Sequence, residues 1–121
     1  PSAHLDKPYA MAGVSVVAAD TDADATRLFT SIQQQFTNLV RGTRTRLKPP
    51  LDDIDTYWSP FEKAQASNML TYAFTGSRET VRAKLTGFIE QTKVDEVMVA
   101  SAIYDHAARL RSYEILASIW D

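Results

Sequence analysis

The segment of the sequence best suited to chemistry lies near its end, where a histidine is surrounded by polar and aromatic side chains. His106 directly follows Tyr104 and Asp105, and Arg109 comes three residues later. An apolar run precedes them, so these side chains are predicted at the carboxyl end of a strand, where α/β proteins bind ligands. Asp105 is equally suited to cap a helix. Tyr104, His106 and Arg109 are therefore candidates for lining a pocket, and helix capping or a surface position is the alternative.

A second group of polar residues is basic and lies in a stretch without regular hydrophobic spacing. It consists of Arg41, Arg44, Arg46 and Lys48. These cations could contact a phosphate, which would make the chain a small ligand-binding module. Arginine-rich loops beside proline and aspartate are more often solvated surface, and that is the alternative for this cluster.

The established catalytic and phosphate-binding motifs are missing. The sequence has no GxGxxG, Walker loop, GxSxG or HExxH, and its four glycines are scattered. Thr75, Gly76 and Ser77 could bind an anion through backbone N–H groups, although an ordinary helix start explains them better. Because the chain contains no cysteine, it has no disulfide, thiolate metal site or cysteine nucleophile. A metal role is not expected for His4, and His106 alone cannot make a metal site without partner ligands. We therefore expect no metal site.

Length, charge and composition exclude several classes of protein. The chain has 121 residues, of which 45% are hydrophobic and 23% charged, and its formal net charge is -2. This size predicts a single domain over residues 1–121, and the apolar content argues against general disorder. The weak charge gives no field to attract nucleic acid, and no apolar run is long enough to cross a membrane. The absence of thiols is consistent with a cytoplasmic protein.

Two segments have the continuous apolar character of strands that are covered on both faces. They span residues 9–19 and 95–102, and both are rich in valine and small residues. A third segment, residues 71–75, is short and β-prone, and it predicts either a weak strand or an extended connection. The sequence therefore predicts two or three strands.

The first of four predicted helices follows the first strand. Thr21 is its expected N-cap, and Gly42 suits the position just after its end, where positive φ is common. Gln34 and Thr37 are predicted to lie away from its buried face. That face is predicted to consist of Ala25, Leu28, Phe29, Ile32, Phe36, Leu39 and Val40.

Three further helices are predicted from their start signals. Ser59 and Glu62 form a capping box around Pro60, which suits the first helical position. Another helix opens at Ser77, and a last one follows Asp105 and extends to about residue 119. Strands and helices thus alternate, which favours a parallel sheet with right-handed crossovers.

Residues 42–58 are predicted to form a long loop. Its first half is basic, Pro49 and Pro50 stiffen its centre, and its second half contains three aspartates. A loop of this length inside a compact domain is uncommon, and it usually serves as a lid, a binding loop or a disordered segment.

The sequence resembles the C-terminal third of bacterial luciferase-like flavin-dependent monooxygenases. The clearest stretch is residues 103–114, which is specific to one subgroup of that family. Further similar stretches are residues 8–11, 18–21, 28–31, 41–42, 49–50, 58–60, 76–81 and 95–99.

The resemblance implies the C-terminal portion of a TIM (β/α)8 barrel, with two to three parallel strands and about four helices. Residues 42–58 then correspond to the active-site lid, so that Arg41, Arg44, Arg46 and Lys48 become lid-loop candidates. Tyr104, His106 and Arg109 become candidates for binding cofactor or lining the pocket. A complete barrel needs about 250 residues, so the chain is expected to be completed by oligomerisation or by a missing N-terminal part.

Two functions follow as expectations. In the first, the chain is part of an enzyme that oxidises a small organic substrate with O2 and reduced FMN, with the deazaflavin F420 as the less favoured cofactor. The isolated chain is then expected to be inactive and to bind no flavin tightly. In the alternative, the chain is a non-catalytic structural or oligomerisation domain derived from the barrel, whose bare strand edges pair with another chain.

Overall fold

The computed structural model describes residues 11–119, which fold into three parallel strands and four α-helices. Their order is β1 (Met11–Ala18), α1 (Asp22–Val40), α2 (Pro60–Met69), β2 (Ala73–Gly76), α3 (Arg78–Thr92), β3 (Glu96–Ala100) and α4 (His106–Ser118). One turn of 3₁₀ helix, Ile54–Thr56, interrupts the long loop. The α/β class and the helix count are confirmed, and the weak third strand forms. Residues 9 and 10, which were predicted as strand, lie outside the described residues.

The helix boundaries agree with the local sequence signals. The side chains of Thr21, Ser59 and Asp105 each accept a hydrogen bond from a backbone N–H in the first turn of their helices. The capping box is complete, because the Ser59 N–H donates in return to the Glu62 carboxylate. Gly42 follows α1 with a φ of 80°, as its predicted position requires.

β1 is the central strand of the sheet, whose order is β2-β1-β3. The two neighbours pair with different parts of it. Residues 15–18 of β1 are in register with 73–76 of β2, whereas residues 11–15 are in register with 96–100 of β3. Both pairings are parallel. The carboxyl half of β1 therefore lies beside β2 and its amino half beside β3.

Helices cover both faces of this sheet. On one face, Val14, Val16 and Ala18 pack against residues of α3 and α4, including the buried Val81 and Ile115. On the other face, Val17 packs with Ile32 of α1. A right-handed crossover that leads to a strand on the left places its helix on one face of the sheet. A right-handed crossover that leads to a strand on the right places its helix on the other face. The sheet is therefore doubly wound about β1.

This arrangement differs from the strand order of a barrel segment. In a (β/α)8 barrel, successive strands are neighbours and the helices form one outer ring. β2 would then lie between β1 and β3, with all helices on one face. Three strands cannot close a barrel, and a singly wound unit would leave its apolar inner face in water. In the observed order, the reversal of direction after β2 places α3 and α4 over the face that a barrel segment would leave without helices.

Two buried serines complete the hydrogen bonding of β1 where β3 ends. The Ser101 hydroxyl donates to the Val16 carbonyl at 2.7 Å, and the Ala18 N–H donates to the Ser112 hydroxyl at 3.0 Å. The two hydroxyls lie 3.3 Å apart. Because a buried, unpaired backbone group costs about as much as a lost hydrogen bond, these hydroxyls substitute for the strand that the edge lacks.

The buried face of α1 is more polar than predicted. Ala25 and Ile32 are buried, but Leu39 is 40% exposed. Gln34 and Thr37, which were predicted to lie away from the core, are almost completely buried. That prediction was wrong because it assumed that the sheet alone covers α1. The long loop also packs along this helix, and the Gln34 side chain donates to the Pro49 carbonyl of that loop, whereas the Thr37 hydroxyl donates to the Gln33 carbonyl within the helix.

Candidate functional site

A small cavity opens at the carboxyl end of β1, between the start of α1 and the side of α4. Its volume is about 270 Å³. It lies where the chain changes from one side of β1 to the other, which is the position where doubly wound proteins bind ligands. Alanine and leucine side chains form its apolar part. Its polar lining consists of Asp20, Asp24, Arg27 and Arg111.

Both arginines of the cavity are already paired with carboxylates. Arg111 donates to Asp20 Oδ1 from Nε at 3.0 Å and from Nη2 at 2.8 Å, and these bonds raise the pKa of Arg111. Arg27 Nε donates to Asp52 Oδ1 at 2.9 Å. The pairs are more than half exposed, so solvent screens them. An anionic ligand entering here would compete with a carboxylate for each arginine.

A third carboxylate at the same end of the sheet joins two helix starts. Asp22, the first residue of α1, accepts a 2.7 Å hydrogen bond from the Ser77 N–H at the start of α3. This bond, followed by the hydroxyl of Thr80, lowers the pKa of Asp22. The N–H that the sequence suggested as an anion ligand is therefore bonded to a carboxylate of the same chain.

The three pocket candidates of the last segment lie at the expected end of β3. Tyr104 is 52% exposed, and His106 Nδ1 lies 2.7 Å from Arg109 Nη2. The cavity is lined instead by Ala108 and Arg111 from the same helix. The structure thus brings His106 and Arg109 together outside the cavity, and their role in a pocket stays a prediction.

Arg41 holds the long loop and α2 together. Its Nη2 donates to Glu62 Oε1 at 3.0 Å and to the Tyr57 carbonyl at 2.8 Å, and its Nε donates to the other Glu62 oxygen. Its guanidinium also lies 4.9 Å from the centre of the Tyr57 ring, and Lys48 Nζ lies 5.9 Å from it. Arg44 and Arg46 are exposed. The four basic residues therefore do not form one site.

The long loop runs back along α1 towards the carboxyl end of the sheet. Its hydrogen bonds follow the helix in reverse order: Asn38 to Thr45, Gln34 to Pro49, Thr30 to Leu51 and Arg27 to Asp52. The acidic part of the loop thereby reaches Arg27, one of the two arginines that line the cavity. The lid role stays a prediction, and any opening of the loop must release these hydrogen bonds.

The Arg41–Glu62 pair predicts a specific pH dependence. The hydrogen bond from Arg41, followed by that from the Ser59 N–H, lowers the pKa of Glu62 to about 2 in the folded chain, from 4.5. The stability that this shift contributes is present above about pH 4.5 and is lost as the pH falls towards 2. When the pH falls from about 6 to about 3, we expect the free energy of unfolding to decrease less in Glu62→Gln than in the unmodified chain.

Urea unfolding at both pH values measures this difference. Arg41→Gln is the matched variant, because it removes the same pair and should flatten the pH dependence to a similar extent. Equal pH dependence in Glu62→Gln and the unmodified chain would show that the pair contributes nothing.

The described part of the chain offers neither a metal site nor a membrane span. Between residues 11 and 119, no three His, Asp or Glu side chains are grouped so that they could hold a metal ion. Within the same range, no helix is both long and apolar enough to span a bilayer.

The chain is similar to part of several longer proteins, although no family model matches it. It is 50% identical over 120 residues to the uncharacterized protein YvbT of Bacillus subtilis (strain 168). It is 42% identical over 119 residues to a luciferase-like monooxygenase of Escherichia coli (strain K12). It spans only 36% of the length of each. In a crystal structure of apo-MsnO8, the similarity has a TM-score of 0.71 and 27% identity, and it covers 99% of this chain and 37% of the other.

Proposed function

We propose that this chain, which is homologous to luciferase-like monooxygenases over about 36% of their length, supplies one side of the active site of a flavin-dependent monooxygenase. The observation that carries the proposal is the 42% identity to a luciferase-like monooxygenase over 98% of the chain. The complete enzyme oxidises a small organic substrate with O2 and reduced flavin, and we favour FMN over F420. The flavin supplies the redox chemistry.

The cavity at the carboxyl end of β1 does not fit a flavin by itself. Its volume is about 270 Å³, whereas sites for drug-sized ligands measure roughly 300–1,000 Å³. Both of its arginines are paired with carboxylates. The rest of the flavin site must therefore come from another part of the protein, and the isolated chain should be inactive.

The carboxyl end of the sheet is the side that we assign to the active site. Barrel enzymes place their sites at the carboxyl ends of the strands. Asp20 and Arg111 lie there together with the candidates Tyr104, His106 and Arg109. In the proposed enzyme these groups line the pocket, and the long loop helps to exclude water from it.

A flavin titration tests this proposal. Isothermal titration calorimetry, with oxidised FMN in air and reduced FMN under anaerobic conditions, should show no saturable binding by the isolated chain up to about 1 mM. When the chain is refolded with the part of YvbT that it does not match, we expect FMN binding to appear. Stoichiometric FMN binding by the isolated chain would contradict the proposal, and so would a stable complex that binds no flavin.

The alternative is a non-catalytic structural or oligomerisation domain. The observation that favours it is the exposure of large apolar side chains beside the sheet, with Met98 59% and Tyr72 58% exposed. Sedimentation of the isolated chain distinguishes the two functions. A stable homo-oligomer that buries these side chains would support the structural function, whereas a monomer would argue against pairing between copies.

A further inference from the structure

Two charged side chains of the cavity at the carboxyl end of β1 have hydrogen-bonding groups to spare. Among residues 11–119, the Asp24 carboxylate has no hydrogen-bond or ion-pair partner, although its backbone N–H is bonded to the Thr21 hydroxyl. Arg27 uses its Nε atom for Asp52, and its two Nη atoms have no hydrogen-bond partner in the same range. The cavity therefore presents one open carboxylate and one open guanidinium edge.

These two open groups are neighbours on one helix face. Asp24 and Arg27 are three residues apart in α1, so their side chains leave the helix on the same side. Both line the cavity. They do not pair with each other, because the Arg27 guanidinium is bonded to Asp52 at 2.9 Å. A molecule that enters the cavity can therefore contact an anion and a cation at once.

The remaining lining limits the charge and the size of that molecule. Asp20 and Arg111 satisfy each other through two hydrogen bonds, so they add no net charge. A ligand with a single charge would gain one partner and be repelled by the group of its own sign. The rest of the wall is apolar, and it consists of Ala18, Ala19, Leu28 and Ala108. With a volume of about 270 Å³, the cavity holds only a small molecule.

We propose that the cavity binds a small apolar α-amino acid in its zwitterionic form. An α-amino acid carries its ammonium and carboxylate groups on the same carbon atom, which suits two open groups on one helix face. The ammonium group donates to Asp24, and the carboxylate accepts from the two Nη atoms of Arg27. The apolar side chain contacts Leu28 and Ala108. As the substrate class of the enzyme, this inference rests on the proposed function, whereas the binding itself requires no flavin.

The exposure of the two groups sets the expected affinity. The Arg27 side chain is 52% exposed, and Asp24 is also exposed. Solvent screens such charges, so each contact contributes modestly. We expect a dissociation constant of roughly 1–10 mM at low ionic strength, and we expect added salt to weaken the binding.

Three matched ligands test the proposal by nuclear magnetic resonance titration of the isotope-labelled chain. L-valine has both charged groups, isovalerate lacks the ammonium group, and isobutylamine lacks the carboxylate. Valine should bind about tenfold more tightly than either of the other two, because each charged group adds hydrogen bonds to an ion. The backbone signals that shift should be those of residues 18–28 and 108–111, which surround the cavity.

Two variants identify the partner of each ligand group. Asp24→Asn should remove the advantage of valine over isovalerate, and Arg27→Gln should remove its advantage over isobutylamine. A merely structural role would weaken all three ligands alike. Glu90→Gln and Arg82→Gln are the matched controls, because they remove the same charges from α3, outside the cavity. Both controls should bind valine as the unmodified chain does, and urea unfolding verifies that each variant is folded.

Several results would overturn the proposal. They are the absence of saturable shifts with valine, shifts confined to residues outside the cavity, and valine binding no tighter than isovalerate or isobutylamine. Tighter binding of isovalerate would assign the cavity to an anion, and tighter binding of isobutylamine would assign it to a cation. These failures leave the flavin titration untouched. Valine binding by the isolated chain, combined with a reconstituted complex that binds no FMN, would reject only the proposed function.

Discussion

Replacing Gly76 by alanine is expected to destabilise the fold by about 3 kcal/mol. Gly76 ends β2 with a φ of 154°, which side chains rarely adopt. A Cβ there would lie 2.7 Å from Thr80 Cβ and 2.9 Å from Asp22 Oδ1. The clash would also disturb the hydrogen bond between Asp22 and the Ser77 N–H, so the loss combines backbone strain with overpacking.

Gly87→Ala is the matched control for this variant. Gly87 lies within α3, and a Cβ there meets nothing within 4 Å. Alanine at this helix position should stabilise the fold by roughly 0.5–1 kcal/mol. Urea unfolding of both variants measures the two effects. A Gly76→Ala variant as stable as the unmodified chain would contradict the close approach of Thr80 and Asp22 to Gly76.

Replacing Ile115 by alanine is expected to lower the free energy of unfolding by about 3 kcal/mol, because it removes side-chain packing from the core. Ile115 is 4% exposed and joins α4 to Val14 and Val16 of β1. This contact depends on the observed strand order, because α4 must lie over β1. Leu110→Ala is the control on the same helix, where the leucine is 51% exposed and its loss should change stability by less than about 0.5 kcal/mol.

Urea unfolding measures this pair of variants as well. Similar stability of Ile115→Ala and Leu110→Ala would contradict the packing of α4 against the central strand. A loss confined to Ile115→Ala would support it.

The sequence predicted those features that depend on residues close together in the chain. The caps at Thr21, Ser59 and Asp105 and the glycine after α1 form as predicted, because each depends on contacts within one helical turn. The strand order could not be predicted in this way. It depends on which edge of β1 receives β3, and hydroxyls as distant in sequence as Ser112 help to decide it.

The spacing of the polar residues in α1 also indicates which side of the helix is covered, although the apolar spacing alone does not show it. Several residues at helical spacing in α1 and at its C-cap make polar contacts with the long loop. These residues are Arg27, Thr30, Gln34, Asn38 and Arg41. Their spacing of three, four, four and three residues marks one helix face. A loop rich in carbonyl and hydroxyl groups directly after the helix is a suitable partner for that face.

None of the residues predicted for the site lines the cavity at the carboxyl end of β1, and their roles stay predictions. The carboxyl end of β3 was expected to collect polar groups, and Tyr104 and His106 do lie there. The pairing of Arg111 with Asp20 was missed, because the two residues are 91 positions apart and no local pattern joins them. A charged residue directly after a predicted strand was the available signal for Asp20.

The strand order β2-β1-β3 determines how α3 and α4 pack against β1 in the described part of the chain. Nuclear Overhauser contacts between backbone protons of the isotope-labelled chain test it most directly. We expect contacts from residues 11–15 to residues 96–100, and from residues 15–18 to residues 73–76. Backbone contacts between β2 and β3, with none between β1 and β3, would contradict it.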